Sequence, residues 1–398
     1  MESTIARPWW RLVLLWLSGM DLRVTLLAVP PLLPLIHAQF ALDEKAVAAL
    51  SSVPVLLLGI AAAPGAYLVA RIGARRALIG GLATIALGAA LRGAGPSTPF
   101  LFAMTFCMGA GVAISQPSMA VLVRLWFPRQ VMRMTGVWSS GLLVGELLGA
   151  SLTVPLILPL AGGSWEVALA LWSTPVFATL ALIVATTRHA EGEAVVTRGG
   201  GWPDWRNGRV WQLGLLQSSA SLIYFGANTF LPDYLHGGGQ ADLLVPALTA
   251  INMAQVPASL TVGLVPWHVL SHRWTAILTG VAATACLPAL VSGQPVLLVG
   301  AAAVLGFLSA AVLVVCFALP AVLAPAMDIA RLSAGGFTIG YSTAFVTNLA
   351  AGALWDATHV PSFAFLPVLL GSVIILVLGP KLLAASGAGM PERARAPI

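Results

Sequence analysis

Charge is what this chain has least of. Only 9% of its 398 residues are Asp, Glu, Lys or Arg, against roughly a quarter in soluble domains. With 59% hydrophobic residues and a mean hydropathy of +0.93, a soluble globular domain is excluded. Lysine is reduced to Lys45 and Lys381, and neither ends a Gly-x-x-x-x-Gly-Lys run, so ATP hydrolysis through a phosphate-binding loop is unsupported. No His-Glu-x-x-His occurs, and all six histidines lie in loops or at the ends of apolar runs, which leaves zincin chemistry without ligands. Cys107, Cys286 and Cys316 fall inside apolar runs, without paired spacing or a His companion. Neither a disulfide, a metal site nor a cofactor is indicated, and nothing points to an enzyme.

What the chain has instead is long apolar runs. Twelve of them, at 10 to 36, 46 to 69, 77 to 94, 99 to 121, 134 to 158, 166 to 186, 210 to 232, 243 to 265, 275 to 292, 296 to 321, 333 to 355 and 362 to 384, are long enough to cross a hydrocarbon core of roughly 30 Å as helices. They do not alternate as barrel strands do. The first run continues well past the length of a signal-peptide core, so it reads as a retained span. An even number of spans puts both termini on one side. Of the 20 Lys and Arg residues, only Lys45 and Arg92 fall on the other side and Arg23 falls inside a span, so 17 share the side of the termini. The positive-inside rule makes that side cytoplasmic.

The net charge of +6 and a pI near 9.8 do not imply nucleic acid, because the basic residues are spread over short loops instead of one soluble face. Trp9, Trp10, Trp126, Trp202, Trp205, Trp211, Trp267 and Trp274 lie at the same ends of the spans and read as headgroup anchors. The bilayer itself is the one macroscopic partner expected. The chain reads as a monomer.

The longest polar interval, about Thr187 to Arg209, carries Arg188, His189, Glu191, Glu193, Arg198, Gly199 to Gly201 and Asp204, and divides six spans from six. The expected organisation is an N-terminal bundle at 1–186, a linker at 187–209 and a C-terminal bundle at 210–398. Leu32-Leu33-Pro34 matches Phe230-Leu231-Pro232 at an offset of 198, and Gly65 and Arg75 fall on Gly263 and Arg273 at the same offset. Parallel six-helix repeats of this kind are the plan of major facilitator transporters, which place the solute near the midplane between halves. The fold class expected is therefore an all-α membrane protein, twelve transmembrane helices in two six-helix pseudo-repeats. The loop Gly65-Ala-Tyr-Leu-Val-Ala-Arg71-Ile-Gly73-Ala-Arg75-Arg76 resembles that superfamily's signature between helices 2 and 3, with Ala70 where the signature has an acid.

Polar residues inside the spans are partitioned. Asp21 and Arg23 lie in span 1, Gln116 in 4, Glu146 in 5, Tyr224 and Asn228 in 7, Asn252 and Gln255 in 8, Tyr341 and Asn348 in 11; spans 3, 6, 9 and 12 have none away from their ends. Because a polar group facing lipid is costly, spans 3, 6, 9 and 12 are expected to face lipid while the others line an interior. Arg23 is the leading functional residue: a cation at mid-depth costs roughly 2.5–3.5 kcal/mol even on the lenient insertion scale, so it faces a partner, a wet cavity or a ligand. Asp21 and Arg23 are about 200° apart around a regular helix and pair only if the backbone unwinds, with Gly19 the candidate. Glu146 is the only other charge at comparable depth. It is either a permanent tie for Arg23 or, with Asp21, an acid that carries a proton. Glu146 lies in Gly141-Leu-Leu-Val-Gly145-Glu146-Leu-Leu-Gly149, whose small-xxx-small spacing suits close helix packing. Trp16 and Trp138 read as packing residues, and Pro30, Pro31 and Pro34 as kinks in span 1.

Asp21-Leu22-Arg23, Pro31-Leu-Leu-Pro34, Val53-Pro54, Gly109-Ala-Gly111-Val-Ala-Ile-Ser-Gln116-Pro-Ser-Met and Gly136-Val-Trp138-Ser together resemble the cyanate and 2-nitroimidazole transporter family of the major facilitators. The resemblance spans all twelve runs. The family typically has Asn at the position of Asp21 and Pro at that of Val24. It implies a transporter in the bacterial cytoplasmic membrane for a small polar solute, often planar or anionic. On this reading Arg23, Gln116, Tyr224, Asn228, Asn252, Tyr341 and Asn348 contact the solute, and Glu146 or Asp21 couples transport to protons. The alternative is an exporter of hydrophobic compounds in which Arg23 is structural.

Overall fold

A computed structural model describes residues 9–40, 56–95, 97–187, 201–325 and 327–388. The outer part of the second span with Lys45 and Val53-Pro54, and the linker residues Arg188 to Gly200, lie outside the described residues. Among the described residues the principal helices are, in order, α1 Trp9–Leu27, α2 Ala62–Ile72, α3 Ala74–Leu91, α4 Thr98–Trp126, α5 Val131–Leu152, α6 Trp165–Thr186, α7 Gly208–Gly237, α8 in two pieces (α8a Leu244–Met253, α8b Gln255–Leu264), α9 Arg273–Val291, α10 Pro295–Leu323, α11 Ile329–Thr358 and α12 Leu366–Ala388. Nine segments among the described residues are long and apolar enough to cross a membrane by themselves. The 30-residue α7 and α11 fall short through composition, not length, because they carry the Tyr, Asn and Ser side chains of the interior.

Proline shapes the path. Pro30 and Pro31 end α1 in a 3-10 turn before the helix resumes at Leu33–Phe40, as the sequence leads one to expect. The α8 break falls at Ala254, where Pro257 has no N–H to offer the carbonyl of Met253. Asn252 and Gln255 stand on either side of it.

One apolar core lies wholly in the C-terminal half, from Val210 to Leu383. The main core of the N-terminal half extends across the seam to take in Ala310, Phe317 and Phe337. Among the described residues, the substantial contacts between halves pair α5 with α8b and α10, α4 with α10 and α11, and α2 with α11. Neither α3, α6, α9 nor α12 takes a substantial part, and each exposes apolar side chains such as Leu87, Val184, Leu278 and Val377. That is the arrangement the polar partition requires.

Call the face that carries Arg11, the Ile72–Ala74 turn and Asn207 the basic face. Trp9, Trp202, Trp205, Trp211 and Trp274 are exposed there, as anchors should be, but Trp126 is buried, with the Arg11 guanidinium 5.8 Å from its ring centroid. Two arginines read as loop charges are buried as well. Arg75 donates to the hydroxyl (2.6 Å) and carbonyl (2.9 Å) of Thr187 at the end of α6. At the opposite face Arg92 turns inward to the carbonyl of Thr25 (2.6 Å) and the sulfur of Met108 (3.0 Å). Both satisfy C-terminal helix carbonyls, which lack partners within their own helix and favour a cation.

Candidate functional site

The site begins with glycines. A Cβ on Gly141, Gly145 or Gly149 would stand 2.1, 2.2 or 2.6 Å from the carbonyl oxygens of Trp16, Met20 and Val24, and one on Gly19 would meet the carbonyl of Trp138 at 2.1 Å. Only glycine permits α1 and α5 to lie this close, which is the packing role expected of the small-xxx-small run. Gly19 therefore serves contact, and α1 runs through it without unwinding. The close crossing sets Arg23 beside Glu146.

Arg23 Nη1 lies 3.0 Å from Glu146 Oε1, with both residues buried. Its Nη2 donates to the Tyr341 hydroxyl of α11 at 3.1 Å. The carboxylate is also approached by Tyr224 of α7, whose hydroxyl donates to Asn252 Oδ1 (2.8 Å) and lies 3.5 Å from Glu146 Oε2. Asn252 in turn donates to Asn228 Oδ1 (3.0 Å), and Asn228 donates to the Tyr224 carbonyl (2.9 Å). One polar network thus runs from a cation of the N-terminal half through a carboxylate into three side chains of the C-terminal half. Buried networks of this kind are strong only while every member is satisfied.

The chamber around this network is lined from α1 and α5 by Arg23, Leu142, Leu143 and Glu146, and from the C-terminal half by Ser221, Tyr224, Phe225, Gln255, Ser309 and Tyr341. Its volume of about 20 Å³ admits little more than one water molecule. Towards the basic face it is closed by aromatic rings. Trp138 stacks on Phe317 across the seam (centroids 5.0 Å, planes 7° apart), Phe317 meets Phe337 edge-on (5.3 Å), and Phe337 stacks on Tyr341 (6.2 Å). Trp138 is packing, as expected, but packing between the halves. On the same side a Cβ on Gly136 would lie 2.7 Å from the Ser259 carbonyl, and Thr338 donates to the Gly59 carbonyl at 2.8 Å.

Of the residues assigned to the site from sequence, Arg23, Glu146, Tyr224 and Tyr341 line the chamber, and Asn228 and Asn252 join it through Tyr224. Three do not come to it. Asp21 is wholly buried inside the N-terminal half, facing Thr179 of α6, and neither carboxylate oxygen has a hydrogen bond of normal geometry. The 200° between it and Arg23 sends one into the bundle and the other to the seam. Gln116 is equally buried, with both amide atoms unpartnered, away from the chamber lining. Asn348 lies further along α11 against Gly226. Gln255, which the polar partition places in the interior, and Ser221 and Ser309 also line the chamber, beyond the residues assigned to the site from sequence. Spacing signals two of them, since Gln255 is three residues from Asn252 and Ser221 three from Tyr224, one helical turn on the same face.

Two helical bundles meeting at a buried, charged chamber are the arrangement of a transporter that works between halves. The chain belongs to the Major Facilitator Superfamily, whose family model matches residues 12–354. It is 30% identical to the 2-nitroimidazole transporter of Escherichia coli (strain K12) over 63% of this chain, and 30% identical to the cyanate transport protein CynX of the same organism over 42%. These matches span 64% and 44% of the relatives' own lengths. In fold it is similar to the transporter FucP, crystallised in the outward conformation, with a TM-score of 0.71 at 15% identity over 93% of this chain and 98% of that one.

Proposed function

We propose that the protein is a secondary active transporter for a small polar solute, anionic or nitro-aromatic, anchored at Arg23. The single observation that carries this reading is the position of the Arg23 guanidinium, held at the seam by one partner from each half, Glu146 and Tyr341. A guanidinium stays charged when buried and meets a carboxylate-like or nitro group with two bonds in one plane. The solute takes the place of Glu146 on Arg23. Glu146, left in a buried site without its cation, binds a proton, and this exchange couples solute to proton movement. Tyr224, Asn228 and Asn252 complete the shell; Gln116 and Asn348, which lie away from the chamber, are outer members, and Asp21, also away from it, is the second candidate for the proton carrier. The similarity to the cyanate and 2-nitroimidazole transporters supports the solute class. The chamber is water-sized, so entry of a solute requires the halves 1–186 and 210–398 to part about it, by alternating access. With both termini cytoplasmic, as the basic residues favour, the closed face is the cytoplasmic one of a bacterial inner membrane.

A thermal-shift screen of cyanate, other small anions and nitroimidazoles on purified protein identifies the solute, because only a ligand preferring the folded state raises its melting point. In proteoliposomes, Arg23→Lys is expected to abolish uptake of that solute and Glu146→Gln to uncouple it from the proton gradient; unaffected uptake in Arg23→Lys ends the anchoring role. That each Arg23 Nη already has a protein partner favours a second reading, an exporter of hydrophobic compounds with a structural arginine. Efflux retained in Arg23→Ala would establish it.

A further inference from the structure

The stretch that leads from the linker into α7 lies across the seam between α2 and α11. At its start the backbone rests directly on α2: a Cβ on Gly201 would stand 2.4 Å from the Cα of Tyr67, 2.9 Å from the carbonyl of Ala66 and 2.8 Å from the Cβ of Ala70. Glycine on one side and alanine on the other are both required for this seat, and the acid that the helix 2 to 3 signature carries at position 70 would fill it. The Trp202 ring packs at 6.3 Å against Tyr67, whose own ring lies 4.9 Å from the Arg71 guanidinium.

The next contacts are with the other half. Arg331 of α11 donates through Nε to the Trp202 carbonyl at 2.8 Å, and its Nη1 is fixed by Asp328 at 2.8 Å. Pro203 packs where a side chain on Gly335 would otherwise stand, its Cβ 3.3 Å from that position. The segment is also tied to the start of α7. The backbone N–H groups of Arg206 and Arg209 donate to Asp204 and Asn207, and the Trp211 indole donates to the Trp205 carbonyl at 2.9 Å. A short, internally bonded piece of chain therefore touches α2 with Gly201 and the Trp202 ring, and α11 with the Trp202 carbonyl and Pro203.

We propose that residues 201–207 form a strap that holds α2 to α11 across the basic face, and that this strap must release one of the two helices before that face can open. The geometry is of the right kind for a reversible latch: one exposed hydrogen bond from a side chain to a backbone carbonyl, one ring contact on an exposed tryptophan and a buried glycine seat. Each of these costs little to break. Beneath it the Thr338 hydroxyl of α11 donates to the carbonyl of Gly59, just before α2, a contact that opening would separate.

The test needs no transported solute, so it stands or falls separately from the proposed function. In protein carrying Ser342→Cys, at the seam beside Gly59, maleimide labelling is followed residue by residue by mass spectrometry, with buried Cys286 of α9, away from the seam, as the internal standard. Arg331→Gln and Tyr67→Leu, which change volume little, are each expected to speed labelling at position 342 by roughly threefold to tenfold, the shift that one lost hydrogen bond or ring contact gives. Cys286 is expected to stay slow. Unchanged labelling at 342 in both variants overturns the strap, and so does acceleration at Cys286 in step with 342, which would mean general loosening.

Discussion

Of the guanidinium groups buried in the N-terminal half, Arg92 and Arg23 are held in opposite ways. Arg92, 1% exposed, is bound by a backbone carbonyl of α1 and a thioether of α4, both in its own half. Arg23, 3% exposed, is bound by a carboxylate of its own half and a phenol of the other. The partners of Arg92 cannot leave without unfolding the bundle. Those of Arg23 separate as soon as the halves move or an anion competes. Burial of a cation is thus no mark of function by itself; what distinguishes the two is whether the partners can be exchanged.

The comparison is broken or sharpened by substitution, and the largest effect belongs to neither arginine. Gly145→Leu is expected to prevent folding, because the side chain must displace the Met20 carbonyl only 2.2 Å from its first carbon; the yield of monodisperse protein measures it. Next, Arg23→Ala leaves Glu146 buried without a cation, a loss of about 3–5 kcal/mol, and abolishes solute uptake. Arg92→Met leaves carbonyl capping undone at a cost of about 1–3 kcal/mol, seen as a lower melting temperature, while the folded fraction transports at normal turnover. If Arg92→Met instead abolished transport at unchanged stability, the distinction between the two would be wrong. Tyr341→Phe removes one hydrogen bond to a charged group, worth about 1.5–3 kcal/mol, and weakens the tie between halves without removing the anchor; solute affinity should change by less than in Arg23→Lys. Asp21→Asn is expected to do least. Its carboxylate faces Thr179 inside the N-terminal half and does not line the chamber, so solute affinity in a binding assay stays unchanged.

Much of this was legible in the chain because the membrane makes polarity expensive everywhere except in the interior. The partition of polar residues among spans gave the lipid-facing helices, the glycine spacing around Glu146 gave the tight α1 to α5 crossing, and the scarcity of charge left Glu146 as the natural partner for Arg23. Depth is readable from position along a span, but the direction a side chain takes depends on how neighbouring helices rotate. Asp21 and Gln116 were given the right depth and the wrong surroundings for that reason. Arg92 and Arg75 stand at span ends, where a sequence alone does not separate a loop charge from one that turns back to cap a helix. The Pro257 break in α8, which carries Gln255 to the chamber, is written plainly in the sequence but means little until the opposite side of the seam is known.

The exchange at Arg23 is tested most directly by binding, at equilibrium, of the solute found in the thermal-shift screen to wild-type protein, Glu146→Gln and Arg23→Gln. If the solute replaces Glu146 on the guanidinium, removing the competing charge makes Glu146→Gln bind more tightly than wild type, and Arg23→Gln does not bind. Equal affinity in all three would contradict the account.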